Sequence, residues 1–290
     1  MIYPTAKGWL EAGEKRVMLF GMSGLGKTHL ANMLRAAGGW FHYSIDYRIG
    51  TRYMGEHIAD NFKREAMKVP LLRELLMSDS IYVASNITFE NLAPLSTYLG
   101  KPGNPDKGGL PFAEYMHRQG QHRDAETFAL MDTVPFIDRA GDLYGYDNFV
   151  CDTGGSICEV VAPDDPRDPV LNVLASHLLL VWIEGSDAHT AQLVRRFDRA
   201  PKPMYYHPDF LIPAWHAYLR QNDVPEGAVD PDAFVRWAYA RAMAYRQPRY
   251  AAMARNWGVS VTADEVQQVR DASDFNSLIA RAIDRTAPRA

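Results

Sequence analysis

Val17-Met18-Leu19-Phe20-Gly21-Met22-Ser23-Gly24-Leu25-Gly26-Lys27-Thr28 decides how the rest of the chain is read. Its first four residues are a short apolar run ending at glycine, which predicts a buried strand. Residues 21–28 follow the pattern GxxxxGKT. From Thr28 to Ala37 the spacing is helical, and Gly38-Gly39 stops the helix. Glycines in such a loop let successive backbone N–H groups converge on phosphate oxygens with no Cβ in the way. The helix N-terminus adds positive partial charge. Lys27 is placed for the β- and γ-phosphates and Thr28 for Mg²⁺. Gly21, Met22, Ser23, Gly24, Leu25, Gly26, Lys27 and Thr28 are therefore the expected site for a nucleoside triphosphate and its Mg²⁺.

Further strands are read outward from this one. Trp40 to Ile45 predicts a second strand, ending at Asp46. Asn148 to Cys151, His177 to Ile183 and Gly258 to Val261 predict three more, and Ser80 to Ala84 is a candidate short strand. Residues 56–77, 112–139, 190–199, 232–256 and 274–285 read as helical, while residues 100–111, rich in glycine and proline, read as a loop. Strands alternating with helices predict an α/β fold with a mainly parallel five-stranded sheet. No Ser/Gly-rich linker divides the 290 residues, so residues 1–290 are expected to form a single domain.

Composition narrows the function. The net charge is −4, with Lys and Arg spread along the chain, which argues against a nucleic-acid backbone as partner. The two cysteines, Cys151 and Cys158, make no disulfide framework, and a reducing, cytoplasmic setting fits. No apolar run reaches the length of a membrane span, so no membrane partner is expected. His42, His189 and His207 do not have metal-ligand spacing.

Two aspartates stand at predicted strand ends. In a parallel sheet the carboxyl ends of the strands face the ligand crevice. Asp152, after Phe149-Val150-Cys151, is the expected acid for Mg²⁺ beside Thr28; Asp46 is the expected base. The bland reading makes each a turn or helix cap.

In order along the chain, these motifs resemble the shikimate kinases and related small-molecule P-loop kinases. The phosphate loop is the first, and Asp46 lies 18 residues after Thr28. Arg123-Asp124-Ala125-Glu126 resembles the family's Arg-x-x-Glu. Gly154-Gly155-Ser156 resembles its Gly-Gly-Gly loop. Val194-Arg195-Arg196 with Lys202-Pro203-Met204 resembles its lid. Arg246-Gln247-Pro248-Arg249-Tyr250 with Ala254 resembles Arg-x-Pro-Leu-Tyr-x-x-x-Ala. The resemblance implies a three-layer P-loop kinase fold with a lid near 190–212; the chain departs from the family by a helical insertion near 53–117. It implies catalytic roles for Lys27, Asp46 and Lys202, and a place for Arg195 on the adenine. Asp46, Arg123, Gly154, Gly155 and Arg246 would bind the acceptor. The bland reading of Arg123 is a surface pair with Glu126, and that of Arg195 is a solvated helix face. Ser44 stands where the family has its first aspartate, Ser156 replaces a glycine and Lys202 an arginine.

The expected activity is ATP-dependent phosphorylation of a small hydroxylated, anionic acceptor. Arg48 and Arg52 are further candidates for its pocket. Two alternatives stand beside it: an ATPase switch whose insertion binds a protein partner, and a nucleoside or nucleotide kinase.

Overall fold

A computed structural model of the chain describes residues 1–286. Five strands form one sheet: β1 (Arg16–Phe20), β2 (Trp40–Ser44), β3 (Asn148–Asp152), β4 (Leu179–Glu184) and β5 (Gly258–Thr262). All pair in parallel, in the order β2-β3-β1-β4-β5. Val17 to Phe20 are fully buried, as are Leu179 to Val181. Burial on both faces is what lets these runs be continuously apolar rather than alternating.

The order of strands fixes where a ligand binds. From β1 the chain passes over β3 to reach β2, through the helix Lys27–Ala37. From β3 it passes the opposite way over β1 to β4, through the helix Pro169–His177. Right-handed crossovers running in opposite directions put these helices on opposite faces of the sheet. The adjacent strands β1 and β3 thus flank a topological switch point, and the crevice opens beyond their carboxyl ends. This is an α/β architecture built on an all-parallel five-stranded sheet.

The chain divides into two compact units. The first comprises Met1–Ile45, Leu130–Ala200 and the described part of the segment from Trp237 onward, and it holds the whole sheet. Near its start the helix Ala6–Glu11 lies on the helix Ala272–Thr286, where Trp9 Nε1 donates to the carbonyl of Asn276 at 3.0 Å. The second unit comprises Asp46–Ala129 and Pro201–Arg236, and it is largely helical. Within it, Arg118 Nη1 donates to the carbonyl of Tyr98 at 2.6 Å, and Gln119 Oε1 accepts from the Tyr206 amide at 2.8 Å. Phe112 stacks on Trp215 with ring centres 4.7 Å apart.

Two local expectations are corrected. Residues 80–84 form no strand; their backbone has no regular pairing despite the apolar side chains. The second strand stops at Ser44, and Asp46 lies instead in the short helix Ile45–Arg48, which runs into a π-helical turn over Ile49–Tyr53. None of the described helices is long and apolar enough to cross a membrane.

Candidate active site

The phosphate loop follows β1 directly, and its glycines hold conformations that other residues resist. Gly21, Gly24 and Gly26 have φ of 133°, 87° and 101°. A Cβ on Gly21 would also lie 2.7 Å from the carbonyl oxygen of Ile183. Met22 and Leu25 are buried and anchor the loop from below, while Ser23 and Gly24 are exposed. Gly26 caps the helix Lys27–Ala37 with no side-chain hydrogen bond. Its first-turn N–H groups carry the positive end of the helix toward the crevice.

Lys27 is 5% exposed, and its ammonium donates to the carbonyls of Gly21 and Met22, both at 2.9 Å. The lysine thus lies back along the first half of its own loop. Thr28 Oγ1 donates to Asp152 Oδ2 at 2.7 Å. Asp152 ends β3, and its other oxygen, Oδ1, is buried with no hydrogen-bond partner among the described residues. A buried carboxylate oxygen left in this state fits a metal-bound water. The hydroxyl–carboxylate pair therefore suits Mg²⁺, and the loop suits a triphosphate. Ser44 stands at the register position opposite Asp152, and His42 Nε2 lies 3.8 Å from Asp152 Oδ2.

Gly154 and Gly155 follow in the same crevice. Tyr250 donates its hydroxyl to the Gly155 carbonyl. Arg246 is 2% exposed and donates through Nε to Glu159, which is 1% exposed. Burial alone would lower the Arg246 pKa, but the Glu159 carboxylate outweighs it and holds the guanidinium charged. Arg249 clamps the same segment, donating to the carbonyls of Cys158 at 2.6 Å and Val161 at 3.0 Å. The turn after β3 is thereby tied to the long helix Pro231–Trp257.

The helix Asp187–Arg199 carries part of the segment expected to be a lid, with Ser186 and His189 forming a capping box at its start. It runs beside the phosphate loop: a Cβ on Gly24 would lie 3.0 Å from Leu193 Cδ2. Phe197 stacks on Tyr239, ring centres 3.9 Å apart. Arg195 is exposed on this helix.

Residues 21–28, Asp152, Gly154, Gly155, Arg195 and Arg246 all belong to the first unit, whereas Asp46, Arg123 and Lys202 belong to the second. Within that unit Asp46 and Arg48 are half-buried, and Arg52 and Lys202 are exposed. Arg123 does not pair with Glu126, as the bland reading had it. Its guanidinium donates to Asp124 Oδ1 at 3.0 and 3.1 Å, while Glu126 is fully buried 3.7 Å from His122. Adjacent helix positions face different ways, and only one of the two acids lies on the exposed side with Arg123. Glu159 was not singled out from the sequence. Its signal is a lone acid inside the apolar run Ile157-Cys158-Glu159-Val160-Val161.

No family model matches the chain, and no curated protein matches it. Among solved structures it is similar to a shikimate kinase from Bacteroides thetaiotaomicron, at 16% identity and a TM-score of 0.38, with 92% of this chain and 95% of that chain covered. So distant a likeness carries no weight for the substrate.

Proposed function

We propose that this chain is an ATP-dependent phosphotransferase that acts on a small hydroxylated acceptor. The observation that carries this reading is the contact between Thr28 of the phosphate loop and Asp152 at the end of the neighbouring strand. A phosphate loop and a metal-binding acid on adjacent strand ends are what phosphoryl transfer requires.

The loop amides and the helix N-terminus bind the phosphates of ATP, and Lys27 exchanges its two carbonyl contacts for phosphate oxygens. Thr28 and Asp152 would hold Mg²⁺, which would supply positive charge to the transferring phosphoryl group. Asp46 orients the acceptor hydroxyl and takes its proton as the new bond forms. Arg123 and the Gly154-Gly155 turn bind the acceptor. Arg195 covers the adenine, and Lys202 closes over the phosphates to exclude water.

The test is ADP release in the presence of polyols, hydroxy acids and nucleosides, with Asp46→Asn as control. One acceptor class is expected to raise turnover, and Asp46→Asn to lower kcat while ATP still binds. ATP binding without stimulation by any acceptor would overturn the assignment.

A second reading, an ATP-driven switch, is favoured by exposed apolar side chains in residues 53–117. Leu71 is 64% exposed, Met77 72% and Tyr82 89%. A partner chain would cover such side chains. That reading requires hydrolysis stimulated by a protein, and a pull-down lost in Lys27→Ala.

A further inference from the structure

Leu71-Leu72-Arg73-Glu74-Leu75-Leu76 reads almost the same in both directions. When the order is reversed, leucine falls on leucine. Only the centre changes, where Arg73 falls on Glu74 and Glu74 on Arg73. These residues lie in the helix Pro70–Met77 of the second unit, and none of its residues is buried. Leu72, Leu75 and Leu76 are half-buried, at the i, i+3, i+4 spacing of the face turned toward the rest of the chain. Pro70, Arg73, Glu74 and Met77 are exposed, and their spacing puts them on the opposite, outward stripe. Leu71 beside the stripe and Val69 just before the helix are exposed apolar side chains. Neither the Arg73 nor the Glu74 side chain has an ion-pair partner among the described residues.

An outward stripe with this symmetry fits itself. Two copies of the helix, antiparallel about a two-fold axis between positions 73 and 74, bring Pro70 against the partner's Met77 at each end of the seam. In the middle, Arg73 faces the partner's Glu74, and the axis repeats the pair. Helix axes in such contacts lie about 8–10 Å apart, a distance that a long arginine side chain bridges. An isologous contact requires a surface complementary to itself. That requirement separates this stripe from an apolar patch suited to any partner.

The geometry points to the helix Pro70–Met77 as the contact through which two copies of this chain pair. The proposal commits the surface to a second copy and stands apart from the ATP site. The helix has eight residues, so the seam is about 12 Å long. A seam of that length buries less than a standard interface, which makes the dimer a weak, concentration-dependent one.

The experiment is sedimentation equilibrium of the full chain over a range of concentrations. The variants are Arg73→Glu, Glu74→Arg and both substitutions in one chain. Both positions are exposed, and thermal unfolding checks that each variant keeps the fold. Wild type is expected to pass from monomer to dimer as concentration rises. Arg73→Glu leaves only carboxylates at the centre of the seam, and Glu74→Arg only guanidinium groups. Each is expected to weaken the dimer by about tenfold or more. The double variant exchanges the charges within each chain and restores both pairs, so its dimer is expected within about threefold of wild type. An equimolar mixture of the two single variants is expected to form mixed dimers, since every facing pair is then opposite in charge. A wild type that stays monomeric would leave the helix to a different protein and overturn the proposal. A dimer that tolerates both single substitutions, or one that neither the double variant nor the mixture recovers, would overturn it as well.

Discussion

Thr28 Oγ1 donates a hydrogen bond of 2.7 Å to Asp152 Oδ2, joining residues 124 positions apart in the chain. The contact exists because β1 and β3 are neighbours in the sheet, with Leu19 and Asp152 in register. It puts a hydroxyl and a carboxylate together where a divalent cation on a bound triphosphate would sit.

Thr28→Val keeps the shape of the side chain and removes the hydroxyl. Thr28 is exposed, so the fold is expected to persist. The gain in ATP affinity on adding Mg²⁺ is expected to fall by about tenfold or more, in line with about 1.5–3 kcal/mol for a hydrogen bond to a charged group. Calorimetry with Mg²⁺ and with EDTA measures it. A variant that retains the full Mg²⁺ gain would remove Thr28 from the metal site.

Glu159→Ala leaves Arg246 charged in the interior. Equilibrium unfolding in urea is expected to show a loss of about 3–5 kcal/mol, most of it recovered when Arg246→Met is added. The pair would be a surface feature, not an interior one, if Glu159→Ala cost less than about 1 kcal/mol.

Burial pushes the Cys158 thiol up to about 12 and holds Cys151 well above its ordinary value. At pH 8 neither is expected to react with a thiol reagent in the native protein, and both are expected to react in denaturant. The sign for stability follows. An unfolded thiol ionises near 9.0 and the folded Cys158 only near 12, so stability is full below pH 9 and falls as pH rises toward 12. Rapid labelling of the native protein would contradict this.

Phe197 and Tyr239 stack at 3.9 Å with ring planes 2° apart, fixing the helix Asp187–Arg199 near its carboxyl end. Phe197→Ala is expected to speed amide exchange across Asp187–Arg199 by about tenfold or more while the five strands stay protected. Uniform acceleration across the sheet would show instead that Phe197 supports the whole first unit.

The sheet was legible in the sequence because its strands are buried on both faces. Val17 to Phe20 and Leu179 to Ile183 are continuous apolar runs with turn residues at their ends. Residues 80–84 misled because an apolar run does not by itself secure burial or pairing: Tyr82 is 89% exposed and the segment joins no strand. The phosphate loop was legible because glycine and lysine there answer to backbone geometry and charge, both local properties. The environment of Arg246 was not. Its partner Glu159 lies 87 positions away, and only the tertiary fold brings them together. Arg123 shows the converse, since spacing placed Glu126 within reach but could not tell which side of the helix is buried.

The central claim is that the terminal phosphate of ATP passes to a small acceptor. ATP carrying a radioactive terminal phosphate, incubated with the protein and a small-molecule extract, tests it most directly. The expected result is label in a new organic phosphate, absent with Lys27→Ala and strongly reduced with Asp46→Asn. Label found only in inorganic phosphate, or left wholly in ATP while the nucleotide binds, would contradict it.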